Sequence, residues 1–416
     1  MYVGYPKTGN IMNTKIVITG MQVWDSIGID IASNFQTILK EKTRLPQSLI
    51  NHNIGWPRNE TNENYHGFIL ADNPYLEEQL NKYRNKELNA EILKAALYVS
   101  TKAIEQAGLV EDKYRIGGFG TSLFAASDVI ARLVDGFKKG RSRCHPDDHF
   151  FQNSEFLISM LSKYFNFNGL TSAISATCSS GLVGLEMGGA LIKQGLLDQV
   201  IVVCADLPTD PYTIFRMNSV RALSKSNISK PFDTTRDGIV MGDGVATFVI
   251  ESEQTAIQRG AKILARIEGS GTANSNMHPT NPSMMTDAYY LAFKSAMETS
   301  GLKPEDIDWI SAHATSTPDG DRVEDQIMSE LLPGKSMTSF KGHIGHTMAA
   351  SSAIELIYTI EAMKHNVIPH IANTTEVDNT DSKINIVLEN TPNQSKYVLK
   401  NSYGFGGRAN SIIVSV

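Results

Sequence analysis

Two distant stretches of this chain repeat one helix–turn–strand pattern. Residues 103–122 read AIEQAGLVEDKYRIGGFGTS, and residues 296–316 read AMETSGLKPEDIDWISAHATS. In each, a helix-favouring run stops at Ala or Ser followed by Gly-Leu, an acidic turn comes next, and an apolar strand-like run closes the unit. Gly108 and Gly301 fall where a helix ends in the left-handed conformation, which glycine adopts without strain. The openings repeat as well, since KIVITGMQVWDSIG from residue 15 is echoed by KILARIEGSGTANS from residue 262. The expectation is a duplicated chain, with halves at 15–260 and 261–416 behind an N-terminal extension at 1–14. Coincidental likeness between two α/β segments is the blander alternative.

Apolar runs such as 15–20 (KIVITG) and 199–205 (QVIVVCA) alternate with helix-like stretches at 90–107 and 184–193, which suggests buried strands in α/β layers. With 416 residues, 41% of them hydrophobic, the chain can bury a sizeable core. Its net charge of -6 disfavours nucleic acid, so an acidic partner would have to be met by a local basic patch. Three cysteines without CxxC spacing exclude a disulfide framework and a zinc site, and point to a reducing, cytoplasmic setting with no metal. Residues 1–14 lack the apolar core of a secretory signal, and no stretch approaches the roughly 18 apolar residues of a membrane span.

Cys178 lies in SATCSSG, between a strand-like and a long helix-like segment. A helix N-terminus favours a thiolate, so the pattern predicts a lowered cysteine pKa and a nucleophile, against the alternative of a small core residue. His313 follows the apolar run IDWIS and should leave a strand end for a loop, where α/β proteins hold reactive groups. His346 falls in SFKGHIGHTMAA, with Lys341 five residues before it and His343 between them. A single histidine is as readily structural as functional. In NSYGFGG, the glycines around Phe405 (Gly404, Gly406 and Gly407) permit unusual backbone angles and an oxyanion-donating turn, or else a plain hairpin.

Taken in order, TCSSG, HATSTPDGD, KGHIGH and NSYGFGG resemble the motifs of elongating β-ketoacyl-(acyl carrier protein) synthases with a Cys-His-His site. DTTRDGIVMGDG at 233–244 resembles a further signature of that family, and the likeness extends over about residues 15–416. It implies a thiolase-like α/β fold of two duplicated halves in five layers, α-β-α-β-α, usually a homodimer. Cys178 then resembles the acyl-accepting nucleophile, and His313 and His346 the pair that binds the malonyl thioester carbonyl. Lys341 resembles the supporting lysine and Glu355 its carboxylate neighbour. Thr315 and Thr317 match threonines that hold the phosphopantetheine arm. Phe405 matches a gate, whose N–H would join that of Cys178 in the oxyanion hole. The implied reaction is decarboxylative Claisen condensation of an acyl thioester with a malonyl carrier protein, without a cofactor of the enzyme's own. The implied partners are acyl carrier protein and either a second copy or a chain-length-factor-like subunit. Arg216, Arg221, Lys225, Lys230 and Arg236 form a basic stretch suited to docking the carrier.

Ala314, residues 349–352 (AASS) and residues 408–410 (RAN) depart from the usual pattern, and Met217 stands at an aromatic gate position. All read as changes in the pocket walls, and they favour a specialised polyketide or polyene pathway slightly over fatty-acid elongation. Leu123 and Phe124 are candidates for lining the acyl tunnel. A degradative thiolase would need a second cysteine beyond residue 204, and an initiating synthase would carry Asn at the third catalytic position. A dehydrogenase would need GxGxxG, which GSGTAN and GGFGT both miss. The rival of a different class is a non-catalytic, chain-length-determining subunit, which normally lacks the nucleophile.

Overall fold

The computed structural model describes residues 14–49, 65–78, 90–109, 114–144, 154–278, 280–378 and 382–416. Most of the expected extension at 1–14 lies outside them. Among the described residues, the first half gives the main sheet five strands: β1 (Ile16–Asp25), β2 (Ile116–Thr121), β3 (Thr171–Ile174), β4 (Gln199–Asp206) and β5 (Gly244–Ser252). Five more of the second half, with the two-residue edge strand Asn385–Ile386 paired beyond β8, are β6 (Ala265–Asn274), β7 (Trp309–Ser311), β8 (Ser336–Thr338), β9 (Val398–Gly404) and β10 (Arg408–Ser415). Their spatial orders are β3-β2-β4-β5-β1 and β8-β7-β9-β10-β6. Counted from the start of each half, both read 3-2-4-5-1.

The pairing directions repeat too. β2 runs parallel to β3 and β4, while β5 is antiparallel to β4 and β1. Likewise β7 runs parallel to β8 and β9, while β10 is antiparallel to β9 and β6. The two echoed opening strands, β1 and β6, pair with each other over Ile16–Ile18, so both half-sheets join edge to edge.

Glycine placement shows why the echoed segments are alike. Helices α1 (Glu91–Ala107) and α5 (Thr286–Ser300) cover β1 and β6, and both end on a left-handed glycine, Gly108 at φ 63° and Gly301 at φ 69°. A Cβ at Gly20 of β1 would lie 2.2 Å from the Ala103 carbonyl oxygen, and one at Gly269 of β6 would lie 2.4 Å from that of Ala296. Each helix therefore rests on its sheet through close glycine–alanine contacts, one for α1 and two for α5, where a Cβ at Gly271 would also lie 2.3 Å from the Ala292 carbonyl oxygen.

Between the half-sheets lie α3 (Ser180–Lys193) and α7 (Ser351–Lys364), packed on each other. Nearly every residue of α7 is buried, as an all-round apolar helix requires. With α1 and α2 (Glu155–Tyr164) outside one half-sheet, and α5 and α6 (Pro318–Leu331) on the other half, the layers are helix, sheet, helix, sheet, helix. No described helix is long and apolar enough to cross a membrane.

Candidate active site

The parallel strands deliver their carboxyl ends to one place, where α/β sheets hold their ligands. β3 leads to Cys178, β7 to His313, β8 to Lys341 and His346, and β9 to Phe405. A short 3-10 turn, Thr177–Ser179, carries the cysteine directly into α3. Thr177 has φ 52°, which a β-branched side chain adopts only under constraint. The constraint comes from both halves. Thr177 Oγ1 donates to the Ala176 carbonyl at 2.8 Å and the Phe405 carbonyl at 3.2 Å. Ser179 Oγ donates to the Ser402 carbonyl, and Ser402 Oγ returns a bond to the Cys178 carbonyl.

Cys178 Sγ and one ring nitrogen each of His313 and His346 lie within 4.8 Å of one another. Their protonation follows from their surroundings. His346 Nδ1 accepts the Met348 N–H at 3.1 Å, so its proton sits on Nε2. The Lys341 ammonium stands 3.5 Å from His313 Nδ1 and, having only protons to give, leaves the His313 proton on Nε2. Burial, reinforced by Lys341, lowers the pKa of His346 to about 3 and holds that of His313 well below 6.5. Two neutral N–H donors result.

The thiol departs from expectation. Burial pushes the Cys178 pKa up to about 12, and Lys341 offsets only part of that rise. The helix N-terminus does not hold a resting thiolate, because desolvation of a buried anion outweighs it. A thiol and two imidazoles are also ligands of a thiophilic cation, but the protonated sulfur and the nearby ammonium oppose one.

Charged side chains clamp the loop that bears His313. Glu324 accepts the N–H groups of His313 at 2.9 Å and Ala314 at 2.8 Å, while Lys341 Nζ donates to the His313 carbonyl and to Glu355. Glu355 also binds Ser351 Oγ at 2.6 Å and the Lys400 ammonium. Tyr403 meets His313 edge-on and stacks on Tyr289 with ring centroids 3.6 Å apart. Asp206 accepts bonds from Ser122, Leu123, Phe124 and Ala349, tying three loops together beneath the site. Sequence reading passed over Lys400, Glu324, Asp206 and Tyr403. The available signal was a charge placed inside or closing an apolar strand run, as in YVLK and VVCAD.

A cleft of about 460 Å³ opens over the triad and is lined by Thr315, Thr317, Met217, Arg221 and Phe405 among others. Thr315 and Thr317 hydroxyls sit 3.0 Å apart. Gly404 lies against Thr177, and Gly406 and Gly407 turn the chain with φ 85° and 78°. Leu123 and Phe124 pack in a cluster with Met217 and Met348 behind this cleft. His343 turns away and faces the His370 carbonyl at 3.2 Å.

Other expectations need correcting. Arg236 is buried, donating to the carbonyls of Asp233, Thr317 and Pro318 and to Asp378, so it props the threonine loop and offers no docking charge. Arg216, on helix α4 (Pro211–Ser219), lies over the rings of Phe124 and Tyr212 yet stays exposed, as do Arg221 and Lys225. Of the pattern departures, Ala314 and Met217 do line the cleft. Residues 349–352 instead pack inside the molecule, where a Cβ at Gly181 of α3 would come within 2.9 Å of Ala353, and Asn410 binds Glu186 at 2.9 Å. Those positions do not line this cleft.

Comparison with known proteins agrees with this architecture. The family model of the β-ketoacyl synthase N-terminal domain matches residues 13–256, and that of the C-terminal domain matches residues 264–375. The chain belongs to the β-ketoacyl synthase family. It is similar to 3-oxoacyl-(acyl-carrier-protein) synthase 2 of Mycobacterium tuberculosis, 32% identical over 321 residues that cover 74% of this chain and 76% of that protein. A 3-oxoacyl-(acyl-carrier-protein) synthase homolog of Saccharomyces cerevisiae is 26% identical over 442 residues, 97% of this chain and 98% of that one. Among solved structures, the ishigamide ketosynthase/chain length factor superposes with a TM-score of 0.85 at 23% identity, covering 97% of this chain and 99% of its own. A β-ketoacyl synthase from Burkholderia phymatum gives 0.84 at 24%, with the same coverage. The fold is thiolase-like, and this β-ketoacyl synthase is an acyltransferase. A role limited to setting chain length is not favoured.

Proposed function

We propose that the chain catalyses decarboxylative condensation through acyl-Cys178, with His313 and His346 as the enolate donors. The observation that carries this reading is the meeting of one thiol with two neutral ring N–H groups in a buried cleft. In the first half-reaction, Cys178 sulfur bonds to the thioester carbonyl carbon, the carbonyl–sulfur bond to the phosphopantetheine breaks, and the thiol proton ends on the departing pantetheine sulfur. The N–H groups of Cys178 and Phe405 hold the transient oxyanion. In the second, the malonyl carboxylate leaves as CO2 and its electron pair forms an enolate, whose oxygen the His313 and His346 N–H groups stabilise. The enolate carbon then attacks the acyl carbonyl and expels Cys178, which takes up a proton. Neutral imidazoles suit this step, since each offers a proton without first having to gain one.

Thr315 and Thr317 would hold the phosphopantetheine arm, the Phe405 loop would gate the cleft, and Arg221 with Lys225 would meet an acidic acyl carrier protein. Division of labour between a half at 15–260 that supplies the nucleophile and one at 261–416 that supplies both histidines belongs to the same proposal. So does a second subunit, either a copy of this chain or a chain-length-setting relative. The structural neighbours that include a ketosynthase/chain length factor and a ketosynthase with its acyl-carrier protein support such partners. The reaction serves fatty-acid or polyketide elongation equally well.

Single substitutions separate the half-reactions. Cys178→Ala should abolish acyl transfer, read by intact mass, yet retain some CO2 release from malonyl carrier protein. His313→Ala should keep acylation and lose on the order of 10²–10³ in condensation, as loss of one oxyanion donor does elsewhere. His346→Ala should resemble it. CO2 release by His313→Ala at the parent rate, or acylation of Cys178→Ala, would overturn the assignment.

A further inference from the structure

Lys400 is fully buried on β9, in register with Ser311 of β7. Its ammonium donates to the Ala312 carbonyl at 2.8 Å and pairs with Glu355, whose other oxygen holds Lys341. Residues 312–314 are thereby gripped from both sides. Lys400 takes the carbonyl of Ala312, Lys341 the carbonyl of His313, and Glu324 the N–H groups of His313 and Ala314. The grip has a conformation to enforce, because Ala314 sits at φ 27°.

Four hydrogen bonds to charged groups on three consecutive residues exceed what an ordinary loop needs, and a buried lysine is costly unless its charge is used. We infer that Lys400 is a positioning residue for the second half-reaction: it fixes the backbone under His313 and adds a second buried cation beside the two histidines. The inference rests on the reading of these histidines as enolate donors. Its effect is selective by location. Lys400 and its partners hold residues 312–314, whereas the Cys178 turn is held by Ser402 and by the Phe405 carbonyl. A cation in a dry site lowers the energy of an enolate more than that of its neutral precursor.

Several titratable groups face Lys400: Glu355 from α7, Lys341 from the turn after β8, Glu324 from α6, and the two histidines. Burial brings the Lys400 pKa down to about 8, against the upward pull of Glu355. Neither histidine is displaced towards that range, both being shifted below 6.5. The second cation is therefore present below about 8 and is lost as pH rises through that value.

The test measures three quantities on the full chain with Lys400→Met and Lys400→Arg. Lys400→Met should slow CO2 release from malonyl carrier protein about tenfold to a hundredfold, as displacement of a catalytic group does, while acylation of Cys178 stays within about twofold. Parent CO2 release should decline above pH about 8. Lys400→Arg, whose cation persists, should remove that decline. An undiminished rate in Lys400→Met, an equal loss of acylation and CO2 release, or an unchanged alkaline decline in Lys400→Arg each overturns the inference. A crystal structure of Lys400→Met should show the Ala312 carbonyl turned away and His313 displaced. An unmoved His313 would sink the idea even if the protein proved not to decarboxylate malonyl thioesters, which would be a separate failure of the functional reading.

Discussion

Burial decides the charge of Cys178, His313 and His346 at the residue scale, and it does so in opposite senses for the thiol and the imidazoles. The sulfur keeps its proton and each ring gives up its second, so the resting site carries no charge on Cys178, His313 or His346. One consequence is a pH dependence of stability. His346 has a folded pKa of about 3 against 6.5 when exposed, so below pH 6.5 the unfolded chain binds a proton that the folded chain refuses. Stability is therefore complete above 6.5 and declines as pH falls towards 3. By pH 5 the loss should reach on the order of 2 kcal/mol from this residue. His346→Gln should show a correspondingly smaller drop in denaturation midpoint between pH 7 and pH 5; an identical drop would mean that His346 is not buried neutral. Cys178, His313 and His346 were legible in the sequence because each sits in a short polar motif after an apolar run. Their protonation was not, because it depends on how completely distant segments bury them. Arg236 shows the same limit: beside other basic residues it reads as surface charge, yet Asp378 and three carbonyls enclose it.

Strands and turns differ in how far sequence announces them. Helix α1 was expected at 90–107 and runs Glu91–Ala107 because an apolar face and a terminal glycine mark it. Helix α3 was expected from 184 but begins at Ser180, since its first turn is built from serines that read as loop; Ser180 Oγ bonds back to the Thr177 carbonyl at 2.6 Å. β1 continues past Gly20 to Asp25 because β5 pairs with it along its whole length, which no local pattern reveals. The glycine turn after β9 yields a contrast between two substitutions. A Cβ at Gly404 would lie 1.9 Å from Thr177 Oγ1, so Gly404→Ala must shift the elbow that carries the nucleophile. Acylation in that variant should fall at least about tenfold, by the logic that small misplacements are costly. At Gly406 a Cβ meets no atom within 4 Å, and only its φ of 85° resists substitution. Gly406→Ala should lose roughly 1–2 kcal/mol and, if the loop must swing to admit the acyl chain, acylate more slowly without unfolding. Equal acylation by Gly406→Ala and parent, read by stopped-time mass analysis, would exclude a mobile gate.

Across the whole molecule, charge acts at long range where packing acts at contact. Arg221 lines the cleft, Arg216 and Lys225 are exposed near it, and Arg236 is enclosed. Docking of an acidic carrier should then depend on fewer charges than the sequence suggests. kcat/KM for acyl carrier substrates should still fall with rising salt, and Arg221→Glu should lower it further. A profile that is flat in salt and unaltered by Arg221→Glu would rule out electrostatic docking at this entrance. Duplication was legible because its marks are local: a capping glycine and an alanine that receives a strand glycine. The edge-to-edge joining of β1 and β6 left no such mark, since backbone pairing over three residues is indifferent to side-chain identity. The bonds from Ser179 Oγ to the Ser402 carbonyl and from Ser402 Oγ to the Cys178 carbonyl bring distant parts of the chain together at Cys178. During synthesis Cys178 emerges long before His313 and His346 and before the strand that latches its turn. On the proposed roles, a nascent chain bearing Cys178 alone should be silent towards malonyl thioesters, so the order of translation should withhold decarboxylation until the second half has been made.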